Sequence, residues 1–397
     1  MLALEVAAKD VMRKIEVSED ARHQHLRAYA RVVRRVLRRL SRGQKIDWEV
    51  RTSKTHPDTI KKHRALLKVL VRPKVLSFFQ FLRAKNRGDA LLVGSAAVLF
   101  EVADQIEKRL LSLADDERRS IRRVLEKLFN YDGFRDGKKL RCDSPDWRVS
   151  WVVAKKKRVW GGWEYARSLG VRYCPYCNAE SVGYGAETDE HGNVLRLFKS
   201  AYDHVLPKGL YPYLAIALEN LVPSCTRCNS VLKHEHDLLA EFRKTHCMPM
   251  LHPYVDNIAD HLEFLFNPTR MSDFYDEKPG EIHLEVRVIH DSEEERTKRF
   301  CKEFALKDVY GWIYSREVLE FVRVSAIYSP ELRQLLAKKY PGLVQSEIDA
   351  VIHRADLTPG NENKSRFSKA IRDLTAQFDL SPLSALDKKK IMQNFLA

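Results

Sequence analysis

Four cysteines give the clearest chemical signal in the chain. They form two C-x-x-C pairs, Cys174 with Cys177 and Cys225 with Cys228, separated by a long insert. Each short turn presents two thiolates on one side of a loop, and two such turns supply the four ligands of a tetrahedral Zn²⁺ site. Because the protein supplies all four ligands, no position is left for water, and the predicted zinc is structural. Redox dithiols or incidental buried thiols are the alternatives, but the βαβ pattern of thioredoxin-like proteins is absent.

Several polar residues that could do chemistry lie within or just after this insert. Asp203 and His204 are adjacent in the segment A-Y-D-H-V-L, which predicts a short strand. Asn220 opens a second apolar segment, Asn229 directly follows the last cysteine, and Lys233 lies four residues further on. If the chain becomes helical after Cys225, Asn229 and Lys233 share one helical face at i, i+4.

These residue types suit the hydrolysis of a phosphodiester. A neutral histidine accepts a proton near pH 7 because its ordinary pKa is about 6.5. Mg²⁺ prefers oxygen ligands, so the carboxylate of Asp203 and the amide oxygen of Asn229 would suit it, with water and phosphate completing the shell. The alternative is that Asp203 and His204 are only polar surface residues of a zinc ribbon.

The stretch from Tyr173 to His236 resembles the HNH, or ββα-metal, endonucleases whose finger is held by four cysteines. The resemblance implies that His204 is the general base and that Asp203 and Asn229 bind the catalytic metal. It further implies that Asn220 braces the loop near His204 and that Lys233 contacts phosphate. The family often has histidine where this chain has Asn229, so the roles of His234 and His236, just beyond, stay open.

The resemblance also implies a biological setting. HNH nucleases with large helical flanking regions often belong to bacterial anti-phage defence or restriction systems, and some act beside an ATPase. DNA is the expected substrate, with RNA left open. Two other functions fit the same residues: a nucleic-acid-binding module that does not cleave, and a nuclease subunit that is active only with a partner.

Composition and charge restrict the classes of protein. Of the 397 residues 44% are hydrophobic, which is enough for real cores, and the net charge is +15. Residues 1–170 hold 40 Lys and Arg against 21 Asp and Glu, whereas the remainder holds 29 against 33. A polyanion would therefore be attracted to the N-terminal half. The most apolar run, residues 90–100, is too short to cross a membrane, and no signal-peptide pattern opens the chain.

The remaining cysteines point to a reducing compartment. Cys142, Cys247 and Cys301 bring the total to seven, and an odd number with zinc-type spacing argues against a disulfide framework. We expect these three to be inert buried thiols and the protein to be cytoplasmic.

The order of the predicted elements gives an α+β fold, mainly helical, around a central zinc-stapled ββα-metal module. Its three predicted parts are a basic helical region (1–170), the nuclease module (171–250) and a C-terminal region (251–397) in which a β-hairpin precedes helices. A helix capped by Ser18 should run to about Ser41, with Gly43 ending it.

Beyond that first capped helix, a long helix is expected from Asp89 to about Ala114.

Two features could serve either function or packing. Lys155–Arg158, with Trp160 and Trp163 close by, could hold a nucleic-acid strand or form a solvated linker. His252 lies in a polar and aromatic cluster that could pack beside the active site.

Overall fold

The computed structural model describes residues 14–48, 57–143, 147–153, 159–191, 194–233, 236–266, 284–289, 293–317, 330–354 and 365–380, together with residues 320, 321, 324 and 328. The described chain is mainly helical, with short two-stranded antiparallel sheets, which confirms the predicted α+β class. The segment Lys155–Arg158, His234, and the N-terminal residues 1–13 lie outside the described residues.

Helix α1, Glu19–Leu40, is the centre of the N-terminal half and follows its predicted bounds. The Ser18 side-chain oxygen accepts the N–H of Ala21 at 3.2 Å, and the chain turns out of the helix at Gly43, whose φ of 65° is one that glycine adopts without strain. One face of α1 is buried at helical spacing. That face consists of Ala21, His25, Tyr29, Ala30, Val33, Val36, Leu37 and Leu40.

Six further helices pack around α1 or against its neighbours. They are α2 (Pro57–Val69), α3 (Pro73–Arg83), α4 (Arg87–Val93), α5 (Ala96–Leu111), α6 (Asp115–Leu128) and α7 (Tyr131–Arg135). The single long helix expected from Asp89 to Ala114 was wrong, because the chain breaks at Gly94 and Ser95. The reason is tertiary: the carboxylate of Glu219 accepts the N–H of Ala96 at 2.7 Å and so begins α5 anew.

The strands form antiparallel pairs throughout the described residues. They pair as β1 (Lys139–Asp143) with β2 (Arg148–Val152), β3 (Tyr184–Thr188) with β4 (Val194–Lys199), β5 (Tyr202–His204) with β6 (Leu221–Pro223), and β7 (Leu262–Phe266) with β8 (Leu284–Val288). Helix α8, Gly162–Leu169, precedes the first cysteine pair. β7 and β8 are the two strands predicted near the start of the C-terminal region, and the residues that link them lie outside the described residues.

Helices complete the C-terminal half. They are α9 (Leu238–Thr245), α10 (Glu294–Glu303), α11 (Leu306–Asp308), α12 (Pro330–Lys339), α13 (Gln345–His353) and α14 (Ser368–Leu380). Among the described residues, no helix combines the length and the apolar character needed to cross a membrane.

The three predicted parts share one hydrophobic core. A continuous cluster of buried side chains runs from Ile15 to Leu374. Polar contacts also join the parts: the Tyr165 hydroxyl donates to the carbonyl of Leu218 at 2.7 Å, and Arg243 pairs with Asp104 at 3.0 Å. The boundaries at residues 170 and 250 stay predictions.

Glu219 is the strongest of these connections. Its side chain is only 7% exposed, and its two carboxylate oxygens bind Arg22 on α1 and the N-terminus of α5. The residue therefore joins two N-terminal helices to the loop directly before β6.

Removing this carboxylate should destabilise the whole protein. We expect Glu219→Ala to lower the free energy of unfolding by about 3 kcal/mol, because it leaves Arg22 without its partner and α5 without its cap. Urea unfolding followed by tryptophan fluorescence measures the change. Glu101→Ala, at an exposed position on α5, is the control and should leave the urea midpoint unchanged. Equal midpoints for Glu219→Ala and the control would contradict this account.

Candidate zinc centre and the Asp203–His204 site

The four predicted cysteine ligands meet in one buried cluster. The sulfur atoms of Cys174, Cys177, Cys225 and Cys228 all lie within 4.8 Å of one another, and those of Cys177 and Cys225 are 3.9 Å apart. The first turn is closed by the N–H of Asn178, which donates to the carbonyl of Cys174 at 2.7 Å. In the second turn the N–H of Cys228 donates to the sulfur of Cys225 at 3.4 Å.

The chemistry of this cluster fits Zn²⁺. Burial raises the pKa of the Cys174 thiol, whereas hydrogen bonds from Cys174 and Cys177 lower the pKa of Cys225. Four thiolates this close together in a buried site are stable only when a cation neutralises them. Four cysteine sulfurs that can surround one ion are typical of a structural zinc site. In the described part of the chain, this is the one group of three or more His, Cys, Asp or Glu side chains close enough to hold a metal.

The other three cysteines differ from one another. Burial raises the pKa of Cys142, and it raises the pKa of the half-buried Cys301 to about 12. Cys247 is exposed, so the expectation of three buried thiols was wrong for this residue. It follows His246, whose φ of 55° turns the chain out of α9 and into solvent.

The remaining predicted residues lie on a strand pair followed by a helix. In the β5–β6 pair, Asp203 stands opposite Val222 and His204 opposite Leu221. A helical segment, Arg227–Lys233, begins within the second cysteine pair. The order strand, strand, helix is therefore present, and the sulfur cluster joins the loop before β3 to the start of this helix.

The helical segment is a π-helix, and the two predicted residues on it differ in burial. Its backbone hydrogen bonds run over five residues instead of four, a geometry that is rare and frequent at functional sites. Cys228 and Lys233, five residues apart, are both buried, whereas Asn229 is half-buried. The predicted i, i+4 alignment of Asn229 and Lys233 stays a prediction; of the two, only Lys233 is buried, where it meets Asp203.

Lys233 pairs with the carboxylate of Asp203. Its ammonium lies 3.0 Å from Oδ1 of Asp203 and donates to the carbonyl of His204 at 3.0 Å. The Lys233 side chain is 0% exposed and that of Asp203 2%. The second carboxylate oxygen, Oδ2, accepts the hydroxyl of Tyr176 at 2.6 Å. The structure thus places Lys233 away from the surface at which a phosphate would arrive.

This arrangement of Asp203 does not fit a divalent cation. Both of its oxygens already accept hydrogen bonds, and the ammonium of Lys233 holds the position next to Oδ1 at which a cation would be attracted. Two cations at one buried carboxylate repel each other in a medium of low dielectric constant. The Asp203 carboxylate is neutralised here by the protein itself.

His204 is buried, and one hydrogen bond shows which of its ring nitrogens carries the proton. Its Nε2 is 3.1 Å from the carbonyl oxygen of Ala215, which can only accept, so Nε2 carries the proton and Nδ1 holds the free lone pair. The ring of Tyr131 packs edge-on at 4.6 Å between centroids. Burial, opposed by the Ala215 hydrogen bond, lowers the pKa of His204 to about 3, so the imidazole is neutral at pH 7.

Asn220 holds the loop that follows His204. Its side-chain oxygen accepts the N–H of Leu206 at 2.7 Å, and its side-chain nitrogen donates to the carbonyls of Leu206 and Leu214 at 3.0 and 3.1 Å. The side chain is thus a structural brace between residues 206 and 214. A brace is the part that the resemblance implied for it.

His236 and His252, whose roles the sequence left open, have partners within the fold. His252 is buried, its Nδ1 accepts the N–H of Tyr254 at 3.1 Å, and burial lowers its pKa to about 3. His236 is half-exposed, with Nδ1 3.0 Å from the carboxylate of Glu303 on α10. Neither histidine contacts Asp203 or His204 through a hydrogen bond of the described residues.

Three side chains near the site were not singled out from the sequence. Tyr176 lies inside the first C-x-x-C turn, so its position between two ligands could have indicated it. Tyr131 and Lys208 line an open cavity of about 210 Å³ together with Ala215, and the Lys208 ammonium lies 4.4 Å from the centre of the Tyr131 ring. Lys208 follows His204 closely in the chain, whereas no sequence signal connects Tyr131 to this site.

The two tryptophans before the first cysteine pair are held by the fold. The indole N–H of Trp160 donates to His25 at 3.0 Å, and that of Trp163 donates to the carbonyl of Gly185 at 2.9 Å. These contacts favour packing over the alternative of holding a nucleic-acid strand.

Comparison with known proteins gives one distant relationship. Over 94 residues the chain is 33% identical to the Septu protein PtuB of Bacillus thuringiensis. The match covers 24% of this chain and 28% of that protein, so it spans only about a quarter of either one. No family model matches the chain, and no solved structure matches it.

Loss of one sulfur ligand should release the metal. We expect about one zinc ion per wild-type chain and a clear loss of zinc in Cys225→Ser, because three sulfurs leave the tetrahedral site incomplete. Cys247→Ser, which removes the exposed thiol, is the matched control and should retain wild-type zinc. Elemental analysis and melting temperature measure both effects, and the ligand variant should melt lower by more than about 5 °C. Full zinc in Cys225→Ser would contradict the assignment.

The buried ion pair gives a second prediction, based on removing one charge or both. Lys233→Met should lower the free energy of unfolding by about 3–5 kcal/mol, because it leaves the Asp203 carboxylate buried without a counter-charge. The double variant Asp203→Asn with Lys233→Met should recover most of that loss, because no buried charge remains.

Urea unfolding at constant zinc provides the measurement. Lys298→Met, at an exposed ion pair on α10, is the control and should leave the midpoint unchanged. If Lys233→Met unfolds at the wild-type urea concentration, Lys233 does not neutralise Asp203.

Proposed function

We propose that this chain is an HNH-type nuclease that cleaves phosphodiester bonds of nucleic acid, with His204 as the general base. The observation that carries the proposal is the neutral imidazole at the end of β5, whose Nδ1 keeps its lone pair because Nε2 is held by the carbonyl of Ala215. Its setting on an antiparallel strand pair followed by a cysteine-stapled helix is the setting that the family resemblance implies.

The proposed chemistry needs a change in the surroundings of His204. A base with a pKa of about 3 takes protons weakly at pH 7, and catalytic bases work best when their pKa lies near the working pH. Burial causes the low value, so a negatively charged phosphate next to the ring would raise it. Binding of the substrate would thus raise the pKa of the neutral His204 imidazole and make it a more effective base.

Lys208 is the cation that we assign to the substrate phosphate. It is exposed, it lies beside the cavity lined by Tyr131 and Ala215, and both of those residues contact His204. An ammonium at this position would neutralise a phosphoryl oxygen as charge develops on it. Lys233, the residue expected for this part, is committed to Asp203.

No step is assigned to a divalent cation. Mg²⁺ at Asp203 and Asn229 remains part of the resemblance, and it would require Lys233 to leave the Asp203 carboxylate. Cleavage measured with and without Mg²⁺ tests whether a divalent cation is required.

Burial favours the form of this function in which a partner controls activity. His204 is 9% exposed and Asp203 2%, so a duplex has little access to either side chain in this state. The similarity to a Septu protein and the implied role in anti-phage defence support a second subunit, such as an ATPase, that opens the site.

A plasmid-nicking assay tests the proposal. His204→Ala should lower the cleavage rate by about 10²–10⁴-fold, the usual contribution of a general base. Lys208→Gln should lower it by about 10²-fold or more through the lost phosphate contact. His191→Ala, at an exposed turn, is the control and should cut at the wild-type rate.

The outcomes separate the candidate functions. Equal cutting by wild type and His204→Ala would remove His204 as the base. Cutting that begins only when a cognate ATPase is added would support the partner-controlled form. A chain that binds DNA but never cuts it, with or without that ATPase, would be a binding module.

A further inference from the structure

One face of α1 carries a row of arginines that the proposed chemistry does not use. Five exposed guanidinium groups fall within an arc of about 100° when α1 is viewed along its axis, and they extend over about 16 Å of its length. These are Arg27, Arg31, Arg34, Arg35 and Arg38. We call them the arginine face.

Among the described residues, few carboxylates neutralise this face. After Asp20 the helix has no acidic residue. Arg34 pairs with Asp89, and Arg35 donates to the carbonyl of Cys142. No carboxylate among the described residues pairs with Arg27, Arg31 or Arg38. Three positive charges thus lie on one side of α1 without an ionic partner among those residues.

A membrane surface is not the partner that this face fits. A basic helix binds a bilayer by inserting its apolar side between the lipids. The apolar side of α1 is fully engaged in the protein core, where Val33 and Val36 are 0% exposed and Leu37 is 1% exposed. Only the charged side is available, which leaves a polyanion as the partner.

A double helix suits this face better than a single strand. Proteins that hold single strands stack the bases on open aromatic rings. The aromatic ring beside the arginine face is Trp147, and it is already covered by Arg35 at 4.4 Å and Arg39 at 3.8 Å from the ring centre. A charged face without an open aromatic ring instead suits a duplex, whose phosphates are densely spaced and whose bases stay stacked.

Helix α1 also contacts the candidate nuclease module, but from its other side. Near the N-terminal end of α1, Arg22 binds Glu219. Asn220, which follows Glu219 in the chain, braces the loop after His204. At about 100° per residue, however, Arg22 lies on the side of α1 opposite to the arginine face, so the face and the candidate site are separate surfaces.

We propose that the arginine face of α1 binds the backbone of duplex DNA. The inference rests on the proposed function for its choice of DNA, but binding at this face does not require cleavage. Each phosphate contact on a duplex releases counterions and steepens the dependence of log K on log salt by about 0.9. Three unpaired arginines thus account for about 3 in that slope.

The test is a salt titration of DNA binding by the full chain, without added divalent metal. The triple variant Arg27→Gln, Arg31→Gln and Arg38→Gln should bind a labelled duplex at least about tenfold more weakly at low salt, with a slope lower by about 3. The control carries the same charge change elsewhere, at the exposed residues Lys307, Lys338 and Lys339, each changed to Gln. The control should keep the wild-type slope.

Two further variants keep the result interpretable. The triple Arg→Lys variant retains the charges and should restore the wild-type slope, whereas failure to restore it would overturn a backbone contact based on charge. Zinc content and melting temperature show that each variant is folded. His204→Ala should bind with the wild-type slope, so loss of cutting alone would count against the nuclease proposal and not against this one.

Three results would overturn the inference. The first is an unchanged slope in the Arg→Gln triple variant. The second is an equal reduction in the control, which would show an effect of net charge alone. The third is single-stranded DNA or duplex RNA bound as tightly as duplex DNA with the same dependence on the arginine face, which would remove duplex DNA as the partner.

Discussion

The meeting of four sulfurs is the constraint on which the candidate site depends. It joins the loop at Cys174 and Cys177 to the start of the helix after β6, across the whole β3–β6 segment. Tyr176 lies inside the first turn, so this junction also brings its hydroxyl to Asp203. Tyr310 extends the connection to the C-terminal half, because its hydroxyl donates to the carbonyl of Cys177 at 2.7 Å. One metal-sized cluster thus positions residues from three distant parts of the chain.

A buried charge pair defines the state of this site. A carboxylate and an ammonium removed from water are stable only when each satisfies the other, and Asp203 and Lys233 do so together with Tyr176 and the His204 carbonyl. Lys233 ends the π-helix and points inward, where its ammonium meets the Asp203 carboxylate. The same segment therefore carries a proposed metal ligand and the group that competes with a metal.

Packing around the site is continuous with the basic half of the protein. Glu219 binds Arg22 and the start of α5, and Tyr131 on α7 contacts the His204 ring. Helix α1, which carries the arginine face, and the strand that carries His204 thus pack on one hydrophobic core. Any movement that exposes His204 has to be accommodated by these N-terminal helices.

The sequence by itself determined the local features. Motif spacing predicted the four cysteine ligands. Near neighbours and hydrophobic period predicted the bounds of α1 with its Ser18 cap, the strand that carries Asp203, and the strands β7 and β8. Only the tertiary structure decided the break before α5, the inward turn of Lys233, the exposed position of Cys247 and the contact of Tyr131 with His204. Most of those depend on a partner distant in the chain, such as Glu219 at the start of α5 or Asp203 beside the π-helix; the exposure of Cys247 follows from the turn at His246. The free energy of burying a polar group depends on whether that partner is present, and a pattern of nearby residues does not contain this information.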